Sequence, residues 1–279
     1  MNRRNPIAAG LALVLLVAGS VLFLSPFLAS LSMALKTPGE AATTSPWQVP
    51  QSPTLANFQE VLTNPNVSFA TLFRNTLVIA LLCTIGVVLS SSLVAYAFAR
   101  LKFVARDKLF LIVLSTMMLP GVVTMIPTYV LFKHLHWINT LLPLTVPAFL
   151  GGGAFNIFLL RQYMMGVPRE LDEAAKIDGA SHWVVYSRVL MPLCGPALAT
   201  VGIFTFIGTW RDFLGPLLYL NDTDKQTLEL GLNTYNSIQT VAPWHLIMAA
   251  SVLVTIPLVV IFFIGQRYFV KGIAMTGIK

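Results

Sequence analysis

Long runs of apolar residues alternate with short polar segments along the chain. Each run approaches or exceeds the roughly 20 residues that an α-helix needs to cross a lipid bilayer. The pattern therefore predicts an all-α integral membrane fold in which residues 1–279 form a single transmembrane domain. The six predicted spans are residues 7–35, 75–99, 109–132, 141–160, 193–220 and 244–266.

The first apolar run follows Arg3 and Arg4, as the apolar part of a cleaved signal peptide would. Small residues at 32–34 even offer a place for cleavage. However, the run is longer than the about 7 to 15 residues that are usual for that part of a signal peptide. We therefore expect the first helix to be retained.

Proline and glycine interrupt several predicted spans. The third span contains Pro120 and Pro127, and the fourth contains Pro143, Pro147 and the glycines at 151–153. Such breaks are tolerated where neighbouring groups satisfy the freed backbone, and they often line a cavity. We interpret most of them as packing kinks and the glycine cluster as the better candidate for a functional break.

The composition agrees with a membrane protein, because 56% of the 279 residues are hydrophobic and only 10% are charged. Soluble domains average about 45–50% apolar and 25% charged residues. Cys83 and Cys194 lie in apolar stretches, where a lone thiol usually packs as a small core residue. We therefore expect neither a disulfide nor a metal site.

Basic residues predict the orientation, since cytoplasmic loops carry an excess of lysine and arginine. If the N-terminus is cytoplasmic, most basic residues fall inside and few outside, so both termini are predicted to be cytoplasmic. The inside residues are then Arg3, Arg4, Arg100, Lys102, Arg106, Lys108, Arg161, Arg169, Lys176, Arg188, Arg267, Lys271 and Lys279, and the outside ones Lys36, Lys133 and Lys225. The net charge of +7 is thereby explained by topology, and nucleic-acid binding is not expected.

The most charged segment is VPRELDEAAKIDGASHWVVYSRVLMP, residues 167–192. Acidic residues at its start, Gly179 as a left-handed helix end and Ser181 as a cap predict two short amphipathic helices joined at Asp178-Gly179. Pro192 is expected to stop the second helix. Because acidic and basic residues balance here, the segment suits a protein cleft better than an anionic lipid surface.

The motif EAAKIDGA followed by RVLMP resembles the cytoplasmic EAA loop of bacterial ABC importer permeases, which reads E-A-A, three residues, G, nine residues, I-x-L-P. Val189 and Met191 stand where isoleucine and leucine are usual. Further stretches, LFRNTLVIA, AYAFARLKF, FIGTWRDFLGPLLYL and QRYFVKGIAMTGIK, are similar to the carbohydrate (MalG-like) branch of this family. The resemblance covers essentially the whole chain.

The resemblance implies a type I ABC importer permease fold in the bacterial cytoplasmic (inner) membrane. It implies three kinds of partner besides the lipid bilayer: a second, MalF-like permease, a dimer of cytoplasmic ABC ATPases, and an extracytoplasmic solute-binding protein. The EAA loop, here residues 161–192, is the family's coupling helix, which sits in a cleft of the ATPase. The implied ATPase contacts are Glu173, Ala174, Ala175, Asp178, Gly179, Ala180 and Pro192, with Gly272, Gly277 and Lys279 in the C-terminal tail, residues 267–279.

No G-x-x-x-x-G-K-[ST] phosphate loop is present in the sequence. We therefore expect no catalytic residue and no cofactor on this chain, with ATP and Mg bound by the partner ATPase. Polar or amphipathic residues of spans three to five that could face a substrate are Tyr129, Asn156, Trp210 and Asp212. The family usually reads W-N-D/E-F around this tryptophan, whereas Arg211 follows Trp210 here, and we expect this charged pair to face a wet cavity, a partner or the outer interface.

The sequence thus predicts a permease subunit of an ATP-driven importer for a sugar or oligosaccharide. A non-sugar solute is the first alternative. A second is a stand-alone secondary transporter, but Asp212 and His245 are the few ionisable residues available for an intramembrane relay. A third, an intramembrane enzyme, is disfavoured because no HExxH motif and no nucleophile and base pair appear in the spans.

Overall fold

A computed structural model describes residues 6–65, 68–238 and 243–276. These residues form helices and loops without a β-strand, which confirms the all-α prediction. The α-helices are α1 (Pro6–Ala34), α2 (Pro38–Thr43), α3 (Ala56–Thr63), α4 (Phe69–Arg100), α5 (Arg106–Ser115), α6 (Gly121–His134), α7 (Leu142–Thr145), α8 (Ala154–Met165), α9 (Glu170–Ile177), α10 (His182–Val184), α11 (Met191–Leu193), α12 (Gly195–Trp210), α13 (Leu214–Tyr219), α14 (Leu228–Ile238) and α15 (Trp244–Thr276). Thr116–Met118, Val146–Phe149 and Thr223–Lys225 are 3-10 helices, and Val185–Leu190 is a π-helix.

The described helices include four that are long and apolar enough to cross a membrane. They are Gly10–Ala34, Phe69–Arg100, Leu142–Met165 and Trp244–Gln266. Two further pairs pass the same test together but are sharply bent: Arg106–Met118 with Gly121–His134, at 97°, and His182–Leu193 with Gly195–Trp210, at 79°. If each bent pair is one span, the described chain carries the six predicted spans.

The bends correct two predicted boundaries. The third span breaks before Gly121, at Pro120, whereas Pro127 lies inside α6 and does not interrupt it. The fifth predicted span, 193–220, is wrong as one continuous helix. Its helical pair begins at His182, bends at Cys194 and ends at Trp210, because a new helix starts at Gly195 with a proline in its first turn, where no intrahelical N–H is required.

The chain divides into two compact units: residues up to Phe69 with Gly231–Pro257, and Ala70–Leu230 with residues from Leu258 onward. In the first unit, the ends of α1 and α3 pack on the first half of α15 around Ala34, Val61 and Ala249. The Asn57 side-chain amide donates to the carbonyls of Ala34 and Lys36, at 2.7 and 2.8 Å. It thereby satisfies carbonyls that the end of α1 leaves without partners.

In the second unit, the core joins the last turns of α4 to α8, the π-helix and α12. Ala95, Leu160, Leu190 and Val201 are among its buried residues. Between membrane helices such a core is stabilised by van der Waals packing, because lipid tails are as apolar as the packed side chains. Because the core fills the space beneath the end of α4, it fixes the position of the segment that connects α8 to α12, which is the EAA loop.

The predicted glycine break in the fourth span is present between the Val146–Phe149 helix and α8. Gly152 has φ +66°, and a Cβ atom there would lie 2.7 Å from the Val87 carbonyl oxygen. Ser90 Oγ donates to the Ala148 carbonyl at 2.8 Å, and Cys83 Sγ lies 2.9 Å from the Leu144 carbonyl oxygen. Side chains of α4 thus satisfy backbone groups that the broken helix frees, which is the condition for such a break in a membrane.

Candidate functional site

The EAA loop folds as predicted into two helices, α9 and α10, joined at Asp178-Gly179. Gly179 has φ +81° and ends α9 in the left-handed conformation. Its N–H donates to the Lys176 carbonyl at 3.0 Å, and the N–H of Ala180 donates to the Ala175 carbonyl at 2.9 Å. These bonds define a Schellman helix end. Ser181 then caps α10 by accepting the Val184 N–H.

One side of α9 is fixed to the end of α4 by a buried ion pair. Arg100 Nε lies 3.1 Å from Asp172 Oδ2, and the two side chains are only 4% and 11% exposed. Arg100 Nη2 also donates to the Val167 carbonyl at 2.8 Å. A buried charge without its partner is strongly unfavourable, so each member of the pair holds the other in place.

Two further arginines connect the start of the EAA loop to the same part of α4. Arg161 donates to the Phe98 carbonyl, and its guanidinium carbon lies 4.1 Å above the centre of the Phe110 ring. Arg169 donates to the Ala99 carbonyl at 3.4 Å. Guanidinium groups suit this role because one planar group combines carbonyl hydrogen bonds with contact to a ring.

The π-helix and α10 are fixed to α4 by tyrosines. Ser92 Oγ and Tyr186 Oη are 2.8 Å apart in the interior, and the Tyr96 hydroxyl donates to the His182 carbonyl at 3.1 Å. The Tyr96 and Tyr186 rings pack with their centres 5.4 Å apart. Both halves of the EAA loop are therefore tied to one helix.

The opposite side of α9 is open. Glu170, Glu173, Ala174 and Ile177 follow the spacing of one helix face, and all four are exposed. Ile177 is 87% exposed, an unusual position for an isoleucine that the chain itself leaves uncovered. An acidic and apolar face held on a fixed helix is suited to docking against another protein.

The predicted contact residues of the loop lie close together but differ in exposure. Glu173, Ala174, Asp178, Gly179 and Pro192 are exposed, whereas Ala175 and Ala180 are partly buried against the core. The helical stretch that begins at His182 runs through the π-helix to Leu193, so Pro192 lies in its last turn. The stretch ends one residue after the predicted stop at Pro192.

The C-terminal tail is described in part. Helix α15 continues past the predicted span to Thr276, so residues 267–276 of the predicted tail are helical. Gly272 lies in this stretch, whereas Gly277 and Lys279 lie outside the described residues. The predicted contact of the tail with an ATPase stays a prediction.

The four residues predicted for a substrate path have defined local partners. Trp210 is 0% exposed and stacks on Phe206 with ring centres 5.4 Å apart. Asp212 Oδ1 accepts the N–H of Gly215 and so begins α13. These contacts are structural, and the predicted roles of the four residues in a substrate path stay predictions. The other two contacts are a stacked pair of Tyr129 with Tyr219, at 6.2 Å, and a 2.7 Å hydrogen bond from the Asn156 amide to the Gly152 carbonyl.

Sequence reasoning missed the inner side of the site. In the sequence Asp172 is one of several acidic residues at a helix start, but in the structure it is the buried partner of Arg100. The available signal was spacing, since Asp172 falls opposite the exposed face of α9. No cluster of three or more metal-ligating side chains occurs among the described residues.

The fold and the loop define a multi-pass helical membrane protein in which the exposed helix α9 is held by buried contacts to the end of α4. The chain belongs to the family of binding-protein-dependent transport system inner membrane components, whose model matches residues 84–275. This confirms the resemblance to ABC importer permeases. It decides against both a stand-alone secondary transporter and an intramembrane enzyme.

The relatives agree with this membership. The trehalose/maltose transport system permease protein MalG of Thermococcus litoralis is 33% identical over 226 residues, 81% of each chain. The sn-glycerol-3-phosphate transport system permease protein UgpE of Agrobacterium fabrum is 32% identical over 282 residues, 99% of each chain. The chain is therefore a transport permease subunit of the ABC type.

The fold also matches a solved structure. A chain of a bacterial ABC transporter involved in the import of the acidic polysaccharide alginate superposes with a TM-score of 0.84. The alignment covers 96% of this chain and 99% of that chain, at 22% sequence identity. At this identity the likeness shows the permease fold alone.

Proposed function

We propose that the chain is one permease subunit of an ATP-driven importer for a sugar or oligosaccharide in the bacterial cytoplasmic membrane. It pairs with a second, MalF-like permease, receives substrate from an extracytoplasmic solute-binding protein and docks on a dimer of ABC ATPases. The permease carries no cofactor of its own, and the ATPases bind ATP and Mg. The sugar is supported by the trehalose/maltose relative, whereas the glycerol-3-phosphate relative favours a non-sugar solute as the alternative.

The proposal rests on the difference between the two sides of α9. Its inner side is held to the end of α4 by the Arg100–Asp172 pair, and its outer side is exposed around Ile177. A push on the outer face is therefore transmitted to the spans instead of being absorbed by a loose loop. Closure of the ATPases and docking of the binding protein would then bias one two-state equilibrium between outward and inward access.

Gly179 provides the first test. A β-branched residue is strained at φ +81°, although the space around Gly179 is open, so the effect of Gly179→Val comes from the backbone alone. We expect Gly179→Val to reduce ATPase co-purification and substrate uptake by about tenfold or more, which corresponds to roughly 1.4 kcal/mol. Gly179→Asn is the matched control, because asparagine tolerates the left-handed conformation, and it should retain most of both activities.

Glu173 provides an independent test of the outer face. Glu173→Lys reverses a charge on the exposed face of α9 without touching the core, so insertion in the membrane should stay normal while ATPase attachment or coupling falls. Asp224→Lys makes the same change at an exposed residue of the predicted outer side and should leave attachment unchanged. Normal ATPase co-purification and undiminished uptake in both Gly179→Val and Glu173→Lys would overturn the proposed coupling role.

The substrate is tested on the solute-binding partner that co-purifies with the complex. Calorimetric titration with an oligosaccharide series and with glycerol-3-phosphate separates the two alternatives. Binding of a sugar supports the proposal, and exclusive binding of the phosphate ester contradicts it.

A further inference from the structure

A basic groove lies where α4, α5 and the start of the EAA loop meet. Its cationic side chains are Lys102, Arg106, Lys108 and Arg169, and Phe103, Ala105 and Asp107 complete the lining. The groove is largely open and has a volume of about 620 Å³. The contacts that fix the EAA loop leave this groove uncovered.

Most of the positive charge in the groove is not neutralised by the chain. Arg106 binds Asp107 with N–O distances of 3.0 and 3.3 Å. Within the part of the chain that the structure describes, no hydrogen bond or ion pair holds the ammonium groups of Lys102 and Lys108. Arg169 uses one nitrogen for the Ala99 carbonyl and is otherwise exposed. The groove thus presents four cations against one carboxylate.

The position of the groove favours the membrane surface. The connection between α4 and α5 spans only residues 101–105, so it stays close to the ends of two apolar helices. Val104 is 93% exposed and Phe103 is 39% exposed, between the cations of Lys102 and Arg106. An apolar tip flanked by basic residues is the arrangement of segments that enter the boundary between headgroups and acyl chains.

The start of α5 adds a further feature that favours an anion. Ala105 has φ +60° and supplies no side-chain cap to the helix. The N-terminus of a helix carries a partial positive charge and N–H groups without intrahelical partners. These groups add to the field of the four cations.

We propose that this groove binds the phosphate of an anionic phospholipid headgroup, in the leaflet that the α4–α5 connection faces. Lys102 and Lys108 are the binding cations, and the Phe103–Val104 tip lies among the acyl chains. Because Arg169 directly precedes α9, a bound lipid joins the end of α4 to the EAA loop. The site goes beyond the proposed function and needs only that the flanking helices lie in a bilayer.

A protein surface rich in carboxylates is the competing occupant of a basic groove. The exposed Val104 side chain favours the lipid, since its burial in acyl chains removes apolar surface from water. A phosphate from solution would match the cations but would leave the apolar tip in water.

The test places the assembled transporter, as wild type or variant, in nanodiscs of phosphatidylcholine with 20% phosphatidylglycerol. Native mass spectrometry then counts the lipids that each protein retains. We expect the wild type to retain phosphatidylglycerol preferentially and Lys102→Gln/Lys108→Gln to lose it. The expected loss is about fivefold for each lysine, which is about 1 kcal/mol per basic residue near an anionic surface. Lys133→Gln, an exposed lysine at the end of α6, is the matched control and should retain the lipid.

Equal phosphatidylglycerol retention by the wild type and the double variant overturns the proposal, as does an equal loss in Lys133→Gln. Displacement of the lipid by millimolar inorganic phosphate assigns the groove to a soluble anion and also overturns it. Loss of ATPase co-purification in the double variant with unchanged lipid retention assigns the groove to a protein partner. These readouts are independent of Gly179 and Glu173, so failure of the lipid site is distinguishable from failure of the coupling role.

Discussion

At the scale of single residues, the Arg100–Asp172 pair decides how the EAA loop is held. Both side chains are almost fully buried, and Arg100 also binds the Val167 carbonyl. Removing charge from water is costly, so a buried pair contributes less to net stability than its short distance suggests. Its importance lies in position: it connects the buried side of α9 to the last residue of α4.

Loss of one partner of this pair should destabilise the protein more than replacement of both partners by apolar residues. Asp172→Asn leaves Arg100 charged and buried, and we expect it to lower the free energy of unfolding by about 3 kcal/mol. Arg100→Met combined with Asp172→Leu replaces both charges by apolar side chains and should recover most of that loss. Thermal denaturation of the purified complex measures both, in a double-mutant cycle with the single variants. Strictly additive single effects would show that the pair does not act as a unit.

At the scale of elements, the fourth predicted span is broken where side chains of α4 bind backbone carbonyls that the break leaves free. The break before α8 packs against α4 so closely that Gly152 has no room for a side chain. The bent pairs at 97° and 79° place helix ends inside apolar segments. Such ends leave backbone groups that need partners, and broken helices of this kind mark the parts of a transporter that line cavities.

Gly152→Ala tests how closely the break before α8 is packed against α4. The added Cβ would meet the Val87 carbonyl and the Ser91 side chain at 2.7 and 2.8 Å, and alanine is also strained at φ +66°. We expect the complex to lose about 2 kcal/mol or more of unfolding free energy, as overpacking and strained backbone usually cost. Gly121→Ala, which has open space around it, is the matched control and should be neutral. Equal melting temperatures for the two variants would contradict a closely packed break.

At the scale of the whole molecule, the proposed function depends on the side of the membrane that each loop faces. The positive-inside rule predicts that the EAA loop lies in the cytoplasm and the segment after α13 outside. The segment after α13 is held by Asn139, whose side chain donates to Asp222 at 2.7 Å and accepts the N–H groups of Asn221 and Asp222. Lys225 binds the same carboxylate, and these contacts lower the pKa of Asp222.

Cysteine labelling tests the orientation directly. Lys176 and Asp224 are both exposed, so Lys176→Cys should react with a membrane-impermeant maleimide only in inside-out vesicles and Asp224→Cys only in intact cells. The native Cys83 and Cys194 are buried and should give little background. Labelling of both introduced cysteines from the same side would refute the predicted topology.

The number of apolar segments, the family and the local structure of the EAA loop could be predicted from the sequence. Gly179 and Ser181 could be predicted because a left-handed helix end and a helix cap are decided by neighbouring residues. The role of Asp172 could not, because its partner Arg100 lies in another helix. The bend angles could not be predicted from the sequence either, because a proline or glycine permits a break but tertiary packing sets its angle.

Gly152 and Gly179 both have positive φ, but they differ in the genetic routes by which a replacement could be tolerated. At Gly152 the obstacles are the Val87 carbonyl oxygen and the side chains of Ser90 and Ser91, so a smaller residue at position 90 or 91 removes part of the obstacle but leaves the carbonyl contact and the backbone strain. At Gly179 nothing surrounds the glycine, and no second-site change within this chain can relieve the backbone strain. Under the proposed coupling role, suppressors of a defect at Gly179 are therefore expected at its own codon or in the gene of the proposed docking partner of α9.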